Sequence, residues 1–402
     1  MECFDVRILV RKLEEKLDIL FVVNELDFFL SHRLPIAREL VNQGKKVGVF
    51  SGFDKNTNSN LDRNMFNLSD LYIYEIPLER GKSGVIQNLY FLFKLGFFLI
   101  KNKPELIHLI TLKIIFLGGI LSRILRLKNV VFAFSGLGFT FINERNFISD
   151  YLFRRILRFS IDGKKRFFIF QNHDDMTEIR DIHEFSLTNS IIIPGSGVDI
   201  GSIDFKKEKK TKNISVVMAS RLLFDKGVKE FFDAAKIVNK IDKTIEFKIF
   251  GSIDKPNPNS LTEDDLEQFS KRYPVKIMGY SRNIFSVYKN ANIIVLPSYR
   301  EGFPKSLIEA AAVGRAIITT DVPGCREAVI HQKTGILVPS KDPRALAKEI
   351  LYLANNDYVR GRYAEGAREL ALTKFNINSV INSHMKIYSK LSNNFVGLKA
   401  KR

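Results

Sequence analysis

Tryptophan is absent from the 402 residues, cysteine occurs twice and histidine six times. The missing tryptophan excludes nothing. Cys3 and Cys325 lie far apart with no pairing logic, so a disulfide framework is excluded and a reducing compartment fits. His32, His108, His173, His183, His331 and His384 show no ligand spacing with cysteine, so no zinc site is readable. The most apolar run, residues 89–100, is interrupted by Lys94 and falls short of a bilayer span. Residues 1–17 carry scattered charges and no long apolar core, which reads as neither signal peptide nor anchor. No internal repeat is evident. No phosphate-loop lysine motif and no Gly-x-Gly-x-x-Gly follows a strand pattern, which argues against a nucleoside triphosphatase or a dinucleotide dehydrogenase.

What the chain does have is apolar bulk and positive charge. Hydrophobic residues make up 45%, with 34 phenylalanines, so large globular cores are expected. The length suits two domains of about 150–200 residues each. Lysine and arginine number 62 against 44 acids, a net charge of +18 that favours polyanions: nucleic acid, nucleotide phosphates or an anionic membrane face. Part of that charge is concentrated at Arg154, Arg155, Arg158, Lys164, Lys165 and Arg166, beside Tyr151, Leu152, Phe153, Ile156, Leu157 and Phe159. This is the composition of a membrane-surface helix, and also of a helix packed on a sheet with a solvated basic side. The run 89–100 offers the same pair of readings.

Short β-branched or aromatic runs alternate with helical patterns through the first half, which predicts a parallel sheet covered on both faces. Strand patterns fall at 18–24, 46–51, 71–77, 106–111, 129–135, 166–172 and 190–194, and helical ones at 31–42, 85–101, 114–126, 150–159 and 174–182. The charged run 206–213 lacks apolar periodicity and reads as a linker. The alternation then restarts, with strands at 214–219, 245–251, 275–278, 292–297, 316–320 and 335–338. The expectation is α/β: two doubly wound Rossmann-like domains facing across a cleft. Residues 1–205 form the first, 214–375 the second, and 376–402 a closing helix and basic tail.

Chemistry concentrates in the second half. The strand pattern 292–297 runs into Tyr299-Arg300-Glu301-Gly302-Phe303-Pro304-Lys305-Ser306, and Glu309 follows in a helical pattern. Ligands of parallel sheets bind at the carboxyl ends of strands, and helix amino termini favour anions. Two isolated glutamates so placed are also ordinary helix-start acids. A second loop, Ser220 to Gly227, follows the strand at 214–219 and supplies Arg221, a planar fork for phosphate, and Lys226, a mobile point charge. A third, Gly279-Tyr280-Ser281-Arg282, could face a base. Two cations, a helix amino terminus and two carboxylates together suit a nucleotide-diphosphate sugar. No Asp-x-Asp occurs on a strand-end loop, so no metal clamp is required: Arg221 and Lys226 can carry the leaving-group charge.

The set Ser220-Arg221, Asp225-Lys226-Gly227, Pro297 to Pro304 with Glu309, and Asp321 to Glu327 resembles the retaining glycosyltransferases of family 4, which have the GT-B fold. The resemblance implies that Arg221 and Lys226 hold the diphosphate. It sets Glu301 at the transferred sugar and Glu309 on the ribose hydroxyls. Gly302, Phe303, Pro304 and Ser306 are then donor-binding, and Tyr280 and Ser281 border the base. The first half matches less closely. A Gly-rich loop common in the family is replaced by residues 25–33, and a frequent histidine after the strand ending at Phe134 is missing. Ser31-His32-Arg33-x-Pro35 and Ser135-Gly136-Leu137-Gly138 instead look like a subgroup acting in bacterial polysaccharide or glycan assembly. Its members commonly transfer N-acetylhexosamines from UDP onto polyprenyl-diphosphate-linked sugars at the inner membrane face.

On that reading UDP leaves the anomeric carbon, the acceptor hydroxyl attacks on the same face, and His32 positions the acceptor. The partners are a UDP-sugar donor, a lipid-linked saccharide and an anionic membrane surface, with no cofactor. A nucleic-acid-binding protein would need interleaved basic and aromatic residues on one face, which the aromatics here do not provide. An epimerase of the same fold, and an enzyme using a soluble acceptor, stay open as alternatives.

Overall fold

Buried β-branched and aromatic runs build two sheets, each in a separate compact unit. The computed structural model describes residues 7–8, 16–53, 66–78, 85–138, 147–185, 187–203, 205, 207–208, 211 and 213–398. One unit comprises residues 1–196 with 378–402, the other 197–377.

The first unit carries β1 (Arg7–Ile8), β2 (Ile19–Val23), β3 (Val47–Phe53), β4 (Leu71–Pro77), β5 (Leu106–Ile110), β6 (Val130–Phe134), β7 (Arg166–Phe170) and β8 (Ser190–Ile192). Their order is β1-β4-β3-β2-β5-β6-β7-β8, parallel throughout except β1, which runs antiparallel to β4. All five residues of β2, β5, β6 and β7 are buried, as in a sheet covered on both faces. One face carries α3 (Val85–Asn102), α4 (Leu112–Ile124) and α5 (Phe147–Ile161), which share a core with β2, β5, β6 and β7.

Two expectations change in this unit. Residues 31–42 are not one helix. α1 (Leu26–His32) precedes α2 (Leu34–Asn42), and they break at Arg33. Pro35 explains the break: it lacks an N–H and fits only a first helical turn, so the helix restarts there. The stretch that replaces a Gly-rich loop is helical because Leu26, Phe29 and Leu30 are spaced to bury one face.

The second unit holds β9 (Ser215–Ala219), β10 (Glu246–Phe250), β11 (Val275–Ile277), β12 (Ile293–Leu296), β13 (Ala316–Thr320) and β14 (Gly335–Val338). The order β11-β10-β9-β12-β13-β14 is all parallel. β9 comes first in the chain and sits centrally, so the winding direction reverses between β9 and β12. α7 (Val228–Ile241) follows β9 and buries Phe231, Phe232, Ala234, Ala235 and Val238. α10 (Lys305–Val313) follows β12 and buries Leu307, Ile308 and four residues at 310–313.

The unit boundary also differs from the expected linker at 206–213. Lys206, Lys209, Lys210 and Lys212 lie outside the described residues. Glu208, by contrast, is fixed to the second unit, 2.8 Å from buried Arg360 and 2.5 Å from Asn292. The Arg368 guanidinium lies over the Phe205 ring. Phe205 and Glu208 are therefore docked by packing and ion pairing, and the units divide at Gly197 instead. At the other end, α14 (Ile377–Leu391) returns to the first unit. Its Tyr388 hydroxyl lies 2.8 Å from His108 Nδ1, in the interior. His108 is thus a core residue, kept neutral because burial pushes its imidazole well below the usual range.

Candidate active site

The reversal point between β9 and β12 is where a parallel sheet opens a crevice at its carboxyl edge. Two loops meet there. After β9 the backbone makes a short 3-10 turn, Phe224–Lys226, and passes through Gly227 into α7. Gly227 has φ +73°, and a Cβ there would lie 2.0 Å from the Pro297 carbonyl oxygen of the next loop. Only glycine permits both the turn and the approach. The Tyr299 amide (2.9 Å) and the Ser298 hydroxyl (3.1 Å) both donate to the Asp225 carbonyl, so the loops are sewn together.

This contact brings Lys226 and Glu301 together. Lys226 Nζ lies 2.6 Å from Glu301 Oε1, with both side chains about seven-eighths buried (14% and 12% exposed). The loop after β13 supports Glu301 from behind. The Glu301 amide donates to the Pro323 carbonyl at 3.0 Å, and Gly324 (φ +79°) passes so close that a Cβ would lie 2.4 Å from the Glu301 carbonyl oxygen. Thr320 donates its hydroxyl to the Ser298 carbonyl. Buried Cys325 follows, its thiol pushed up to about 12 by burial, which leaves it without nucleophilic character.

The other expected groups sit nearby on the same edge. Arg221 is half exposed and its Nη1 lies 2.7 Å from Oδ2 of Asp254, a buried acid on the loop after β10. Asp254 was not foreseen, because nothing in its own neighbourhood of sequence points to Arg221. Glu309 lies in α10, about as buried as Glu301, with Lys305 Nζ at 3.6 Å. Burial raises its carboxyl above the usual range, and Lys305 offsets that only in part. The amino end of α10 begins at Pro304 with no side-chain cap, beside Ser306. Tyr280 is exposed on the loop after β11, with Ser281 beside it. The Phe303 ring points inward, 5.4 Å from Phe375, so at this position only the backbone can meet a ligand. Among the described residues no cluster of three acids, histidines or cysteines is gathered as a metal would need.

Sequence reasoning also missed Glu230 and the role of Tyr299. The Tyr299 hydroxyl donates to Glu230 Oε1 at 2.7 Å, tying the Glu301 loop to the first turn of α7. Lys341 lies over the same ring.

In the first unit, His32 ends α1 with Nδ1 2.6 Å from the Ser31 hydroxyl and its ring stacked on Phe28. Arg154, Arg155, Arg158, Lys164 and Lys165 are exposed. Arg166 corrects the expectation. It opens β7, is 5% exposed and lies over the Phe132 ring, and burial lowers its guanidinium to about 10. As the first residue of a strand buried on both faces it lies in the interior, so it takes no part in a basic surface.

Residues 199–370 match the family described as glycosyl transferases group 1, and residues 18–172 the family described as glycosyl transferase 4-like. The chain belongs to the glycosyltransferases, and its fold is that of the GT-B class. It is 33% identical over 195 residues to the N,N'-diacetylbacillosaminyl-diphospho-undecaprenol alpha-1,3-N-acetylgalactosaminyltransferase of Campylobacter jejuni, covering 47% of this chain and 50% of that protein. The match thus spans half the length of that relative. A second similar protein, the capsular polysaccharide biosynthesis glycosyltransferase CapM of Staphylococcus aureus, is 25% identical over 77% of this chain and 85% of its own length. Among solved structures, HepE of Anabaena in complex with UDP superposes with TM-score 0.71 at 15% identity, covering 93% of this chain and 100% of HepE. At that identity the likeness concerns the fold.

Two outcomes test the local reading. Tyr299→Phe removes the hydroxyl that satisfies a buried carboxylate, and a hydrogen bond to a charged group is worth about 1.5–3 kcal/mol. Urea unfolding should show a loss of that order, and an unchanged midpoint would mean that Tyr299 does not hold the loop. Glu309 holds its proton more tightly folded than unfolded. Between the ordinary value of 4.5 and the raised one, stability therefore falls as pH rises, and the cost persists above both. Ligand-free Glu309→Gln should melt above the parent at neutral pH, with the gain shrinking as pH falls toward 4.5. A pH-independent difference would contradict the raised carboxyl.

Proposed function

We propose that this chain moves an N-acetylhexosamine, such as GalNAc or GlcNAc, from a UDP-sugar to a polyprenyl-diphosphate-linked saccharide. It does so with retention of anomeric configuration, without a metal, and as a peripheral protein on the inner face of the cell membrane. The observation that carries the reading is the Lys226–Glu301 pair at the strand reversal point, beside the uncapped start of α10. A buried ion pair contributes little to folding, because desolvation offsets its attraction. Its place on the carboxyl edge suits it to a ligand instead.

In this reading the diphosphate takes Lys226, Arg221 and the amino end of α10 as its partners. Glu309 accepts from the ribose hydroxyls, and Tyr280 and Ser281 border the base. Glu301 accepts from the sugar hydroxyls and favours positive charge on the ring. The bond from the anomeric carbon to the diphosphate oxygen breaks with its electron pair on the diphosphate. The acceptor oxygen bonds to the same face of that carbon, and its proton passes to the departing diphosphate oxygen. His32 is assigned to the acceptor. The donor and acceptor classes draw support from the Campylobacter relative, whose name specifies an N-acetylgalactosaminyltransferase acting on a diphospho-undecaprenol saccharide, and from HepE, solved with UDP.

The test is a panel of UDP- and GDP-sugars, scored first for slow donor hydrolysis and then for acceptor-dependent product. Turnover with a UDP-N-acetylhexosamine is expected. Glu301→Gln and Lys226→Ala should each lower it about 100–1,000-fold, the cost of deleting one group that stabilises transition-state charge. Near-parental turnover by either folded variant would sink the assignment, and donor consumption that no acceptor converts into a transfer product would favour the epimerase.

A further inference from the structure

A helix that covers a sheet normally turns an apolar stripe inward and a polar one to water. α3 turns apolar residues both ways. Phe91, Leu95, Phe98 and Leu99 are buried in the core of the first unit. Ile86, Leu89, Phe93, Phe97 and Ile100 face outward, each between 57% and 75% exposed. Their spacing of three, four, four and three keeps them on one line along about 21 Å of helix. A contiguous exposed apolar patch of this kind marks an interaction surface.

Its surroundings indicate the partner. α4 packs against both α3 and α5, in the same layer. Within α3, α4 and α5 the sequence has one acid, Asp150, and Arg154 binds it at 2.6 Å. Lys94 and Lys101 flank the stripe, and α5 exposes Arg154, Arg155 and Arg158 beside Tyr151 and Leu152. A second copy of the chain docking here would set one basic rim against another. An anionic bilayer complements both the stripe and the rim. No helix among the described residues is long and apolar enough to cross a membrane.

We propose that α3 lies flat in the surface of an anionic bilayer. Its five outward apolar side chains enter the acyl boundary, and the lysines and arginines of α3 and α5 hold the headgroups. This deepens the reading of a lipid-linked acceptor and rests on it only for which membrane is met.

The experiment uses the full chain with vesicles of phosphatidylglycerol and phosphatidylethanolamine, or of phosphatidylcholine alone, without nucleotide or acceptor. The chain should sediment with the anionic vesicles about tenfold more strongly than with neutral ones, and lose that preference as salt rises. Phe93→Glu with Phe97→Glu should cut binding to anionic vesicles at least about tenfold, since charge then meets the acyl boundary. Its melting temperature should be unchanged, because both side chains are exposed. Arg154→Ala with Arg155→Ala and Arg158→Ala should weaken binding at low salt only. No binding by the parent chain, or equal binding by the glutamate variant, overturns the proposal. So does a dimer in solution that the glutamate variant splits, which would assign the stripe to a second copy. Vesicle binding without any sugar transfer would sink the proposed reaction and leave the docking face standing. Transfer to a soluble acceptor analogue without vesicle binding would do the reverse.

Discussion

Lys226 and Glu301 stand 75 residues apart in the chain, and they meet because Gly227 has no side chain. The contact of Gly227 with the Pro297 carbonyl lets the loop after β9 lie directly on the loop after β12, and Gly324 repeats the arrangement behind Glu301. Three strand-end loops are thereby stacked on one edge of the sheet, with backbone amides and the Ser298 and Thr320 hydroxyls donating to backbone carbonyls. Lys226 and Glu301 are aimed by that stack. A methyl group at either glycine would force the loops apart by about 1 Å, enough to stretch the 2.6 Å pair beyond hydrogen-bond length.

The polar residues divide according to how they are held. Glu230 and Asp254 are buried acids that accept from Tyr299 and Arg221, and each fixes a partner's position. Lys226 and Glu301 satisfy each other, so an arriving ligand could exchange partners with them without leaving a buried charge alone. Glu309 is different again. It has a lysine one turn away, yet burial still favours its protonated form, so it bears the clearest conformational cost of keeping a carboxylate in the site. Such cost is tolerated where a ligand relieves it.

Periodicity made the elements legible, because strands buried on both faces and helices buried on one leave different patterns. β13 at Ala316–Thr320 and β14 at Gly335–Val338 were readable to the residue. Contacts between distant loops were not. Asp254 and Glu230 carry no local signal, since their partners are set by the stacking of strands and not by spacing along the chain. Arg166 misled for a related reason: a basic run continued into a strand covered on both faces, so its last member is buried. The outer stripe of α3 was half legible: the run 89–100 reads from sequence as a core helix or as one lying in a membrane surface, and only its depth against the sheet separates the two faces.

Direction along α3 bears on the acceptor. A crossover helix runs opposite to the strands it joins, so Ile86 lies near the carboxyl edge of the first sheet and Ile100 near the amino edge. Ser31, His32 and the loop 135–138 follow β2 and β6 on that same carboxyl edge. With α3 flat on a bilayer, the face of the sheet that carries α3, α4 and α5 lies toward the lipid, while α1 packs through Phe29 on Phe21 on the opposite face. Docking through α3 would then do more than raise the local concentration of acceptor. It would fix which face of the first sheet meets the lipid, and so restrict the search for an acceptor to two dimensions and one orientation.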